Sequence, residues 1–141
     1  MAPQRWLTLG AIAISGICIV GCSASDFVPV TGIVTFDGGP PPHAGRLYFI
    51  SIETDGNFPA RDGSAPFTTS GQFEAVTAKE RGLLPGKYVV KVECNKHTPD
   101  YSKQDPFGDA TVVDPSYTPQ IITVDQGKPL QNLSIDVPMK K

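Results

Sequence analysis

The chain lacks a long apolar run, a basic block, a clustered set of histidines and a spare pair of cysteines, and each absence excludes something. Its longest apolar stretch, Leu7–Val20, is 14 residues. That is short of the roughly 20 residues a helix needs to cross about 30 Å of hydrocarbon, so a membrane-spanning helix is not expected. The 12 Lys and Arg are interspersed with 14 Asp and Glu. A phosphate-reading surface gathers basic charge on one face, so no nucleic-acid partner is expected. There is no nucleophile elbow and no phosphate-cradling glycine loop ahead of a helix. His43 and His97 are the only histidines, and neither has a matching Cys or His partner of the kind that supports hydrolysis. Scattered carboxylates read as solvated surface acids and not as an acid–base pair. The expectation is a non-catalytic chain with no cofactor. Its length suits one domain with a core, and the 14 glycines and 14 prolines between short apolar runs suit an all-β domain rich in turns.

What is present begins at the N-terminus. Met1–Trp6 carries one charge, Arg5; the apolar stretch follows and ends in Ile19-Val20-Gly21-Cys22. A basic start with an apolar stretch of this length reads as a secretory signal. Its last four residues resemble the lipobox of bacterial lipoproteins, in which an aliphatic and two small or tolerated residues precede the acylated cysteine. The peptidase seats a small side chain before the cut, here Gly21, and the thioether after it requires sulfur, which only Cys22 supplies. The expectation is therefore signal 1–21, a lipidated stub 22–27 and a folded domain 28–141. Acyl chains contribute about 0.8 kcal/mol per buried methylene, so the two or three chains usual in such proteins hold a domain firmly to a membrane. The partner implied is the membrane itself, at the periplasmic face or the outer membrane; Ser23 after the cysteine, in place of Asp, permits outer-membrane delivery under the resembled sorting rule.

Processing leaves 11 basic and 14 acidic residues, a formal charge of −3, and one unmodified cysteine, Cys94. No intrachain disulfide is then available. Cys94 reads as a small buried strand residue; the alternative is a carrier domain, taking a small ligand in a cleft between subunits or a metal through Cys94 and His97 with His43 as a further candidate, a weak metal pattern without a second ligand pair.

From Phe27 onward, short strands alternate with turn chemistry. Val28–Phe36 places Val28, Val30, Gly32, Val34 and Phe36 on one face. Asp37-Gly38-Gly39 signals a tight hairpin turn, and Pro40–Pro42 block any continuation. Gly45–Glu53 puts Leu47 and Phe49 on one side; Asp55-Gly56-Asn57 and Asp62-Gly63-Ser64 mark a loop. Phe67–Ala78 is a strand broken at Ser70-Gly71, with Phe73, Ala75 and Thr77 alternating after it. In Lys87–Cys94 the core face is Tyr88, Val90, Val92 and Cys94. Asn95–Pro119 is long and polar, with only Ala110–Val113 extended, and Ile121–Val124 and Leu130–Val137 close the chain.

Three stretches carry a resemblance: Val30–Gly38, Thr69–Phe73 and Leu84–Val92. In order and spacing they are similar to the transthyretin-like or carboxypeptidase-regulatory-like domains of small bacterial lipoproteins. The resemblance spans nearly all of the processed chain. It implies an antiparallel two-sheet β-sandwich of about seven strands and little about activity. Transthyretin-fold hydrolases of 5-hydroxyisourate use histidines, an arginine and a Tyr-Arg-Gly-Ser tail; the tail here is Pro138-Met139-Lys140-Lys141, so that activity is rejected. An isopeptide crosslink to Asn132, as in adhesin domains, is rejected because Val28–Phe36 contains no lysine. The function expected is presentation of a binding or structural surface to an envelope protein or glycan. The candidate surface is Asn95–Pro119, whose His97, Tyr101, Phe107 and Tyr117 place rings on an exposed loop.

Overall fold

The computed structural model describes residues 25–141. The expected signal, Gly21 and the lipidation site Cys22 lie outside the described residues. The architecture is all-β, without a helix among the described residues. Nine strands form among the described residues: β1 (Val30–Phe36), β2 (Gly45–Thr54), β3 (Gly63–Phe67), β4 (Gln72–Glu74), β5 (Val76–Thr77), β6 (Glu80–Arg81), β7 (Gly86–Cys94), β8 (Gln120–Val124) and β9 (Leu130–Val137). They hydrogen-bond in one path, β8-β7-β2-β3-β4-β1-β9, with the small β5–β6 hairpin attached to β3. The result is a mixed, nearly closed sheet.

Period-2 alternation builds the core, because every second side chain of a strand points to the same side. Val30, Val34 and Phe36 of β1, Leu47 and Phe49 of β2, Tyr88, Val90 and Cys94 of β7, and Ile135 and Val137 of β9 are all buried together. Val28 joins them from outside the strand, bridging Leu83. Tyr88 buries its ring and donates its hydroxyl to the Leu84 carbonyl at 2.7 Å, so the one polar atom of that side chain keeps a partner inside the core.

Four sequence expectations change. The sheet is mixed rather than antiparallel, because β9 runs parallel to β1. The cause is connectivity. β8 descends along β7 to Val124, the short Asp125–Pro129 connection reverses the chain, and β9 therefore climbs in the same sense as β1 at the opposite edge of the path. The strands number nine, since the sequence of the polar Glu80–Arg81 strand carries no apolar signal; a two-residue turn at Ala78-Lys79 closes that hairpin, with Ala78 at φ 54°. Asp62-Gly63-Ser64 opens β3 instead of lying in a loop. Asp62 accepts the Ser51 amide at 2.9 Å, and a Cβ on Gly63 would come within 2.2 Å of Leu83. Finally, the Asp37-Gly38 turn forms, with φ of 48° and 76° and a Phe36–Gly39 bridge, yet the strands it joins do not pair. β1 lies against β4 and β9, while β2 lies against β3 and β7. The three prolines lack the N–H groups a continuing ladder needs, and the chain crosses over.

At β9, Leu130 and Leu133 both pack on the core although their spacing is wrong for a regular strand. Asn132 resolves this with φ 58°, in a bulge where the register shifts between Val30 and Gly32 of β1. Gly32 permits the close approach: a Cβ there would sit 1.9 Å from the Leu133 carbonyl oxygen.

The registers define two ends. Val28, Thr54, Gly86, Val124 and Leu130 gather at one, which we call the near end; Phe36, Gly45, Cys94 and Val137 gather at the other, the far end. The nine residues of β7 separate them by roughly 26 Å at about 3.3 Å per residue.

Candidate functional site at the far end

The segment Asn95–Pro119 leaves β7 at the far end and is tied down at its base. Asn95 bridges Thr111, the Lys96 amide donates to the Ala110 carbonyl at 2.9 Å, and the Val112 amide donates to the Cys94 carbonyl at 2.9 Å. Ala110 is fully buried beneath this short ladder. The C-terminal residues clamp the other side: Val113 bridges Met139, and the Lys140 amide reaches the Val112 carbonyl at 2.8 Å. The expected extended piece, Ala110–Val113, is thus the loop's footing, and residues 97–109 form the excursion above it.

Local turns shape that excursion. The Asp100 carboxylate accepts both the amide and the hydroxyl of Ser102, at 3.1 and 2.7 Å, which stabilises its charged form and lowers its pKa. Asp105 accepts the Gly108 amide at 3.0 Å, and Asp114 accepts the Ser116 amide at 2.8 Å, its pKa lowered in the same way.

The four aromatic or imidazole residues expected to form a surface divide. Tyr101 and Phe107 meet edge to face, ring centres 6.0 Å apart at 89°, and remain 73% and 40% exposed. Such a pair holds its rings in fixed relation while leaving their outer faces open. His97 is also exposed; its Nδ1 lies 3.1 Å from the Thr98 carbonyl. Tyr117 does not belong with them. Its ring packs half-buried against the core, and its hydroxyl donates to the Val90 carbonyl at 3.0 Å, so it pins the returning loop to β7. Burial raises its pKa.

Cys94 is fully buried, and its thiol points at the backbone carbonyl of His43, 3.4 Å away. Burial pushes that thiol's pKa up, with the His43 carbonyl contact opposing. The alternative ligand set is not assembled: the Cys94 sulfur meets the backbone of His43, not its ring, and no three His, Cys, Asp or Glu side chains come together among the described residues. Asn132, considered for a crosslink, sits on the β9 bulge with its backbone at positive φ and its side chain exposed.

Sequence reading missed a second feature of this end. A cleft of about 400 Å³ opens between the loop footing and the C-terminal residues, lined by Pro42, Lys96, Asp109, Thr111, Met139, Lys140 and Lys141. Lys96 and Lys140 stand 44 positions apart, and no periodic signal in a sequence relates residues brought together by two separate bridges.

Compared with protein-family models, curated proteins and solved structures, the chain matches none.

Proposed function

We propose that this chain is a lipid-anchored protein of the bacterial envelope. Its domain is a transthyretin-like two-sheet sandwich that does no chemistry of its own and offers the far-end loop to a partner. What supports the sandwich is the distribution of apolar side chains. The inner sides of β8-β7-β2 and of β3-β4-β1-β9 fill one core, and the β2–β3 ladder joins the two sets of strands. What supports the anchor is the order of basic start, 14-residue apolar stretch and Gly21-Cys22.

One observation carries the functional reading, and it is polarity. The chain comes into the sheet at Val28, at the near end, while Tyr101 and Phe107 stand at the far end. Six Cα steps separate Cys22 from Val28, a reach of at most about 21 Å. Lipid on Cys22 thus tethers the domain by its near end and leaves the open rings of the far end free to meet whatever lies in the envelope beyond.

The test is fractionation and mass analysis of the native product. An acylated chain starting at Cys22 in the membrane fraction is expected, with Cys22→Ala losing the acyl mass. A wild-type product keeping residues 1–21 with a free thiol overturns the anchor. For the surface, in-cell crosslinking of the wild-type chain is expected to yield an adduct that the Tyr101→Ser, Phe107→Ser pair abolishes; an adduct unchanged in that variant overturns the assignment.

A further inference from the structure

The lysine-lined cleft adjoins the aromatic pair. The Lys140 ammonium donates to the Gly108 carbonyl at 2.7 Å, and Gly108 follows Phe107 directly in the chain. Among the described side chains on the cleft wall, Lys96, Lys140 and Lys141 are cationic and Asp109 alone is acidic. Lys103, a fourth cation, pairs with Asp109 from the loop at 3.8 Å. In a chain of formal net charge −2, this is a local inversion of sign. Three lysines line one opening against a single acid, the ammonium of Lys140 held there by the Gly108 carbonyl, and this positive excess favours an anion.

We infer that the cleft and the Tyr101–Phe107 pair form one site for an anionic polysaccharide. A sugar ring lays its flat C–H face on the open aromatic surface, and its carboxylate or phosphate group enters the cleft among Lys96, Lys140 and Lys141. Cations beside an exposed ring match a ligand that carries both features in every repeat. A folded protein partner is a poorer match, because it needs about 800 Å² of complementary surface on each side, and two rings beside a charged opening do not offer a broad apolar patch. This inference rests on the proposed function and names the chemistry of its partner.

The experiment uses the full lipidated chain in neutral detergent micelles, titrated with polygalacturonate, a phosphorylated mannan and neutral dextran. Saturable binding to at least one of the acidic polymers, weakened by added salt, and none to dextran, is expected; which acidic polymer binds identifies the anionic group. The Lys96→Gln, Lys140→Gln double variant should bind at least about tenfold more weakly. Tyr101→Ala should weaken binding about fivefold while leaving salt sensitivity intact, each variant's thermal unfolding confirming that it folds. Absence of saturable binding to both acidic polymers up to about 1 mM repeat units overturns the inference, as does a double variant that binds like wild type. If the polymers fail while the crosslinked adduct with an envelope component still depends on Tyr101 and Phe107, the inference falls and the proposed function stands; loss of both removes both.

Discussion

Tyr117 and Tyr101 sit in one loop, sixteen positions apart, and the structure assigns them opposite roles that a stability measurement separates. Replacing Tyr117 with Phe keeps the ring and removes the hydroxyl that donates to the Val90 carbonyl at 3.0 Å. A part-buried acceptor loses its partner, a loss of about 1 kcal/mol. For a domain of this size that lowers the unfolding temperature by about 4 °C. Tyr117→Ala also removes the ring that packs on the core cluster. Half-burial scales the usual aromatic-to-alanine loss down to about 2–3 kcal/mol, or roughly 10 °C. Tyr101 is 73% exposed, and Tyr101→Ala should stay within about 0.5 kcal/mol of wild type. The assay is thermal unfolding of the three variants by circular dichroism under one buffer. Equal unfolding temperatures for Tyr117→Ala and Tyr101→Ala would refute the claim that Tyr117 fastens the loop.

Other consequences are as direct. Gly32→Ala places a methyl 1.9 Å from the Leu133 carbonyl, so β1 and β9 must separate; denaturant titration should show a loss of at least ~2 kcal/mol. Asp136 accepts the Thr35 hydroxyl at 2.6 Å and the Gly38 amide at 3.0 Å, which together lower its pKa. A lowered folded-state pKa stabilises above the ordinary aspartate value of about 4 and is lost as pH falls through the depressed one. Urea midpoints of wild type and Asp136→Asn should therefore differ at pH 6 and converge toward pH 2, whereas a constant gap refutes the assignment. The buried Cys94 thiol, its pKa raised, should react with a disulfide reagent at pH 8 only in denaturant, and rapid labelling of the native chain would contradict its burial.

Much of the core was legible from period-2 alternation alone, because a side chain's face on a strand depends only on its position along that strand. Val30, Val34 and Phe36, Leu47 and Phe49, Phe73, Ala75 and Thr77, and Tyr88, Val90 and Cys94 are buried as their spacing indicates. The turn at Asp37-Gly38 was legible too, since positive φ is a local property of those residues. The polar Glu80–Arg81 strand, the Asn132 bulge and the start of β3 at Gly63 were not, because each exists through a neighbouring strand and leaves no local pattern.

The residues by themselves determined an all-β chain, its buried positions and the far-end loop as a long polar excursion. Tertiary structure decided which strands pair, turned β9 parallel to β1, sent Tyr117 inward while leaving Tyr101 and Phe107 out, and gathered Lys96 with Lys140 around one cleft. The reason is physical: burial and turn geometry follow from neighbours in sequence, whereas pairing and convergence depend on where the chain returns after long separations.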